Sequence, residues 1–328
     1  MPSTLPPGVG DTLAETVSGF VLDPAPAAHT LTNWRVLART AERDLDAARL
    51  AEAHLDAVTT LADLRVPAVP PASLWGVWAA GGPGTGLRAL PHADAWYLTG
   101  TRAWCSGADR CTHALVTAEG PDGGRLFAVD LADAGVTRGE DSWRGLGMRG
   151  CGTAEVHFTA TRARPVGEPG EYLWRPRFWH DAIGVAAAWF GGAVGVSAPL
   201  RDRLAGDHGD EHDAAHRGRV EAALGAAAAA LRAAAAAIEA PASAAEPVAT
   251  ARRRALSVRA TVEAAVEVVL RSTGRATGPR PLAHDAEHAR RVADLEVYVR
   301  QSHAERDLAA LGRLAAQLDG PGPRGIRL

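Results

Sequence analysis

Three regimes of hydrophobic spacing succeed one another along the chain. Between residues 34 and 58 the apolar positions Trp34, Leu37, Ala41, Leu45, Ala48, Leu55 and Val58 recur near a 3.6-residue period. That spacing predicts an amphipathic helix, capped by Thr32 or Asn33 and running to about Leu64. Pro67, Pro70 and Pro71 follow, and proline cannot donate the next helical hydrogen bond. From residue 74 to about 164 the pattern becomes short alternating runs, at 74–79, 96–99, 102–105, 114–118, 126–130 and 155–158. Thr99-Gly100 reads as a turn between two of them. Gly-rich joints at 81–86 and 121–124 separate others, as in a compact β domain. After Pro176 the helical period returns in four stretches, 178–205, 213–240, 246–272 and 282–318, broken at 206–209, Pro241 and 278–281. Four long segments with short joints predict an antiparallel four-helix bundle.

The fold class is therefore α+β, mostly α, in three parts: a short helical lobe at 1–70, a small β domain at 71–170 and a helical bundle at 171–328. Residues 1–30 are rich in Pro, Gly and Ala and are expected to be partly unordered, as is the tail from Gly320. The nearly polyalanine stretch 222–240 permits close helix approach, either inside the bundle or at a subunit interface.

Composition narrows the chemistry. The chain has 328 residues, 47 % hydrophobic and 22 % charged, enough to bury a real core. A net charge of −3 gives no reason to expect nucleic acid, and Arg252 to Arg254 read as a solvated helix face. There is no lysine and a single asparagine, Asn33. That bias matches GC-rich bacterial coding, and it excludes Schiff-base catalysis and a Walker-type phosphate loop, since both need a lysine amine. Cys105, Cys111 and Cys151 form no CxxC pair and are too few for a disulfide scaffold. No basic segment leads into an apolar run at the start, and the longest apolar stretch, 182–200, carries several glycines. A cytoplasmic protein without a membrane span is expected.

Two histidine patterns are weighed and set aside. His208, His212 and His216, with His284 and His288, have i, i+4 spacing. The glycines and acidic residues around the first three read as a loop entering a capped helix, so no metal is predicted. His54 and Asp56 read as a helix surface or a buried hydrogen-bonded histidine before they read as a catalytic dyad.

The segment 96–118 says most about function. Trp104 and Ser106 share a strand parity that Cys105 does not. A flat aromatic beside a hydroxyl suits a planar heteroaromatic ligand, whose ring nitrogen accepts the hydroxyl hydrogen. Gly100-Thr101-Arg102-Ala103-Trp104-Cys105-Ser106-Gly107-Ala108 resembles the flavin-contacting strand of the acyl-CoA dehydrogenase superfamily, with its Gly-x-Lys-x-Trp-x-(Thr/Ser) pattern. Residues 147–158, Gly-Met-Arg-Gly-Cys-Gly-Thr-Ala-Glu-Val-His-Phe, resemble that family's Gly-x-Arg-(Gly/Ser)-(Ser/Cys)-x-Thr-x-x-Val-x-Phe signature at the expected distance. The helix, β-domain and bundle order is also similar, with an abbreviated first lobe.

The resemblance implies FAD, with FMN or loss of the flavin as alternatives, and places Trp104 and Ser106 against it. Gly84 and Thr85 fall in a shortened version of the family's Gly-rich flavin loop, lacking its Glu and Asp. The Arg-x-x-Phe-Gly and Gln-x-x-Gly-Gly motifs that clamp the pyrophosphate are absent. Arg275 or Arg280, around Gly274-Arg275-Ala276-Thr277-Gly278, stand in a similar place. The family's catalytic Glu aligns with Val299, and its other known position falls in the uncharged stretch 183–195. His303, Glu305 and Asp181 are the substitute bases. The resemblance implies α,β-dehydrogenation of an acyl-CoA or similar thioester, a homodimer or homotetramer, and an electron-transfer partner. A flavin monooxygenase on the same fold, or a non-catalytic partner subunit, are the alternatives.

Overall fold

A computed structural model describes residues 9–22, 26–66, 70, 72–79, 86–140, 143–206, 209–241 and 245–319. The chain divides into two compact units: Met1–Leu22 with Asp46–Phe178, and Asp23–Leu45 with Trp179–Leu328.

The first unit is built on a sheet of seven strands: β1 (Trp75–Trp78), β2 (Leu87–His92), β3 (Ala95–Cys105), β4 (His113–Gly120), β5 (Gly123–Asp130), β6 (Val136–Arg138) and β7 (Ala154–Val166). Pairing runs β4–β2–β3–β7–β5 and returns to β4, so these five strands close on themselves and leave few bare edges. β1 adds parallel to β4, and β6 adds to β7. Alternate residues fill the interior, with Trp78, Leu98, Val116, Phe127 and Phe158 all at most 2 % exposed. The opposite face of β1, β4 and β5 presents Trp75, Leu115 and Leu126 to Ala57 and Leu61. Those two residues lie on the helix Leu45–Asp63.

That helix corrects one expectation. The single predicted helix at 32–64 is two, α2 (Thr30–Arg43) and α3 (Leu45–Asp63), after α1 (Val9–Ser18). Asp44 between them is extended, at φ −148° and ψ 108°. The apolar stripe continues through the break, so hydrophobic spacing alone does not reveal it. Asn33 is buried within α2, whose N-cap position is His29. Within the stretch 1–30, expected to be partly unordered, residues 9–18 are helical, with Leu13 and Thr16 buried.

In the second unit α2 joins α4 (Pro176–Val196), whose first three residues belong to the first unit, then α5 (Ala198–Ala205), α6 (Glu211–Glu239), α7 (Val248–Thr277), α8 (Arg280–His284), α9 (Ala286–Tyr298) and α10 (Glu305–Asp319). Glycines on α4 let α2 come close. A Cβ on Gly191 would stand 2.0 Å from the Ala38 carbonyl oxygen, and one on Gly195 2.4 Å from that of Glu42. The fourth predicted helix is three. Asp285 caps α9 by accepting from the His288 amide, and after Tyr298 the chain tightens into a 3₁₀ turn before Ser302 becomes extended. Asp210 caps α6 through a full capping box with Asp213, as the acidic loop suggested. Among the described residues two stretches are, by length and composition, apolar enough to cross a membrane: 176–205 with 72 % of its apolar window buried and 211–239 with 22 %. The second was not expected; its hydropathy comes from alanine.

Candidate functional site

Trp104 and Ser106 sit at an irregular corner. The predicted turn at Thr99-Gly100 is absent, and β3 runs through it as one strand, kinked there by a register shift against β7. Gly100 has φ +126°, and a Cβ on it would lie 2.1 Å from the Gly86 carbonyl oxygen. A second shift follows: Arg102 opposes Val156 and Cys105 opposes Ala154, three steps on one strand against two on the other. Trp104 absorbs the extra residue at φ +62°, a left-handed conformation uncommon for a bulky side chain. Strict alternation therefore does not aim this ring; the bulge does. Trp104 stands 60 % exposed while Cys105 is fully buried.

Ser106 lies just past the strand and is tied down on three sides. Its amide donates to the Trp104 carbonyl at 3.0 Å, and its carbonyl accepts from Trp78 Nε1 at 3.0 Å. Thr153 Oγ1 donates to Ser106 Oγ at 3.2 Å, which leaves the serine's own hydrogen to point at an outside acceptor. The second sequence block supplies this support. Gly107 donates to the Cys151 carbonyl at 2.7 Å, and Gly152, at φ +57°, lies where a Cβ would be 2.0 Å from Asp109 Oδ1. Trp143 meets Trp104 edge to face at 5.8 Å, and its Nε1 donates to the Gly147 carbonyl. The Gly147 segment and Trp143 are contacts that the strand pattern alone did not indicate. Gly84 and Thr85 lie outside the described residues.

Burial shifts several titratable groups of the first unit. Burial pushes the Cys105 thiol above its ordinary range and the Cys111 thiol up to about 12, so neither is a thiolate nucleophile at neutral pH. His54 is buried and its Nδ1 accepts the Trp75 amide at 3.2 Å, which leaves the proton on Nε2. Burial lowers its pKa to about 4. Burial, helped by the Glu52 charge, raises Asp56 to about 6. These two are a hydrogen-bonded histidine and a helix carboxyl beside Thr60. Arg175 nearby donates to Asp63 at 2.7 Å and Thr60 at 2.6 Å.

The second unit holds the residues proposed as bases. Val299 is fully buried, and Tyr298 meets Trp189 edge to face. Arg259 stacks 4.5 Å over Trp189 and donates to the carbonyls of Ala182 at 2.8 Å and Gln301 at 3.2 Å. One guanidinium thus links the segment carrying the half-buried Asp181 to the segment carrying His303. The His303 side chain is 63 % exposed, with Nδ1 3.4 Å from Asp307, and Glu305 is exposed in the first turn of α10. A carboxylate missed in the sequence is more enclosed. Glu263, 13 % exposed, accepts from Ser302 Oγ at 2.5 Å and lies 3.8 Å from Arg300. Its apolar neighbours on α7 gave no sequence signal. Arg275 is exposed in the last turn of α7, where a cation complements the helix dipole. Among the described residues no group of three or more His, Cys, Asp or Glu could hold a metal, and His208 lies outside them.

The corner fits a flavin in two respects: an open indole face, and a hydroxyl whose neighbour donates to it. Residues 80–161 match the family model for the acyl-CoA dehydrogenase middle domain. The fold is similar to that of a Paenibacillus sp. A11-2 enzyme, TdsC, solved with FMN and indole, at TM-score 0.77 and 19 % identity over 90 % of this chain and 85 % of that one. It is also similar to butyryl-CoA dehydrogenase from Megasphaera elsdenii, at TM-score 0.78 and 16 % identity over 94 % and 89 %. A nitrososynthase from Micromonospora carbonacea var. africana matches at TM-score 0.73 and 22 % identity over 95 % and 88 %. No curated protein sequence matches the chain.

Proposed function

We propose that this chain, which belongs to the acyl-CoA dehydrogenase superfamily by its middle domain and fold, is a flavin-dependent oxidoreductase whose cofactor lies against Trp104 and Ser106. The observation that carries this reading is the bulged corner itself. A left-handed backbone at a tryptophan stores strain, and it turns an apolar ring toward solvent. A planar ligand on that ring would recover the exposed area. Bound flavin would supply hydride and electron transfer and, when reduced, the activation of dioxygen. Ser106 would donate its hydroxyl hydrogen to the ring system, with Thr153 holding that hydroxyl in place and Trp143 packed against the indole edge to face.

Of the two chemistries, monooxygenation fits better than α,β-dehydrogenation. Dehydrogenation needs a base for the proton beside the thioester. The aligned position is buried Val299, and the first bundle helix is uncharged from 183 to 195. Oxygen transfer needs no such base. The absence of the pyrophosphate-clamp motifs favours FMN over FAD, and TdsC is a relative solved with FMN. One observation keeps dehydrogenation as a second reading: Glu263 is an enclosed carboxylate beside Ser302, three residues past Val299.

Purified protein mixed with FMN or FAD, then reduced, separates the two. Oxygen uptake with incorporation of one oxygen atom into an added substrate supports monooxygenation. Anaerobic bleaching of the oxidised flavin by an acyl-CoA supports dehydrogenation through a base such as Glu263. A protein that takes up neither flavin refutes both.

A further inference from the structure

A second site lies in the first unit, where β4 passes from β1 to β2. Where β1 ends, β4 changes neighbour: Trp78 pairs with Val116, and the next pairing is Arg88 with Glu119. The seam between β1 and β2 opens a cleft of about 380 Å³, within the size range of small-molecule pockets. Its walls are apolar, from Leu87, Ala118, Leu126, Tyr172 and Leu173. Arg102 also lines it, although the residue is only 6 % exposed. Its Nη2 donates to Thr117 Oγ1 at 2.6 Å, and Thr117 in turn donates to the Ala79 carbonyl at 3.1 Å. Burial lowers the Arg102 pKa, which reflects the cost of keeping that charge out of water.

Arg125 enters the same cleft. Its Nε donates to the Gly167 carbonyl at 2.8 Å, and its guanidinium stacks 5.9 Å from Trp96, which fixes its fork. Glu168, largely exposed, lies 3.7 Å away. Glu119 is exposed and lines the cleft as its acidic member. Two guanidiniums, one buried and one half-buried, line a small hollow with apolar walls.

We infer that this cleft binds the oxyanion end of a small amphipathic ligand, a carboxylate or phosphate with a short apolar tail. A guanidinium gives an oxyanion paired, charge-assisted hydrogen bonds, and the leucines and Tyr172 cover the tail. The cleft is not lined by Trp104, Ser106, Thr153 or Trp143, so anion binding and flavin uptake can be read separately. The oxyanion has two sources, a free organic acid or the phosphate of a flavin.

Calorimetric titration of the full chain with hexanoate, hexyl phosphate and hexanol tests it. Hexanoate or hexyl phosphate should bind at least tenfold more tightly than hexanol. Arg102→Met should remove that preference, and Arg125→Met should reduce it several-fold in protein shown by its unfolding transition to be folded. The second variant keeps the test open if the first does not fold. FMN that displaces hexyl phosphate assigns the cleft to the cofactor's phosphate; FMN that binds without displacing it assigns the cleft to a separate acid. Equal binding of hexanol, anion binding indifferent to Arg125→Met, or no binding of any probe would overturn the inference. Flavin uptake, followed by absorbance on the same samples, reports separately on the Trp104 corner.

Discussion

Two segments, one in each unit, hold their polar residues by different means. In the first unit burial keeps three titratable side chains neutral: the thiols of Cys105 and Cys111 move up, and His54 moves down. What faces outward is an indole and a hydroxyl. Around residues 298–303 the groups are charged and paired, with Glu263 against Arg300 and Arg259 bridging two carbonyls beneath Trp189. A neutral corner of fixed donors suits a large, weakly charged ring system. A charged, cross-linked segment suits holding helices in register. One aligned motif leaves Trp104 exposed, as the proposed flavin site requires, while the other has Val299 in the core.

Breaking the charged side should cost most. Arg259→Met removes two charge-assisted hydrogen bonds and a stacked cation, and should destabilise the protein by about 3 kcal/mol, measured by urea unfolding. Little change would mean that the Ala182 and Gln301 carbonyls are satisfied without it.

The neutral side should reveal itself through pH. His54 has a folded pKa near 4, below its ordinary 6.5. As pH falls from 6.5 to 4 the unfolded chain gains a proton that the folded one refuses, and stability falls by up to about 3 kcal/mol. Asp56 works the other way. Its folded pKa is near 6, above 3.8, so the folded chain takes up its proton first and stability rises as pH falls through that window. The two oppose, and the wild type should show a shallow dependence between pH 6.5 and 4. Asp56→Asn removes the offset and should show the full acid loss in urea midpoints taken across that range. A slope equal to wild type would contradict the assignment.

Smaller effects should sharpen the corner itself. Thr153→Val leaves the fold intact but frees the Ser106 hydroxyl to turn. It should weaken flavin binding roughly threefold to tenfold, equivalent to about 1 kcal/mol, with Thr153→Ser restoring most of it. Glu263→Gln should change flavin affinity least. It should abolish any anaerobic bleaching by acyl-CoA if that carboxylate serves as base, and leave oxygen-dependent turnover in place.

Much of this was legible in the sequence, for identifiable reasons. Strands show as alternation because one face of the sheet is buried, and Leu98, Val116 and Phe158 declare it. The long helices show as period, and Gly206, Gly209 and Asp210 mark a true start. Irregular backbone is what the sequence conceals. The break at Asp44 leaves the apolar stripe uninterrupted, and Trp104's positive φ occurs at a residue type that disfavours it, so only strand register reveals it. Glu263 looks like one more charge on a helix until Ser302 is seen to close on it. The anion cleft is invisible for a similar reason: Arg102, Thr117 and Arg125 come from three strands, and no local spacing joins them.

The claim that the Trp104 corner holds a flavin has one direct test. Titration of the purified protein with FMN and with FAD, followed by visible absorbance and tryptophan fluorescence, should show saturable uptake of at least one, with quenching that is lost in Trp104→Ala and affinity that falls about tenfold in Ser106→Ala. Uptake indifferent to both substitutions, or no uptake by the folded wild type, would contradict it.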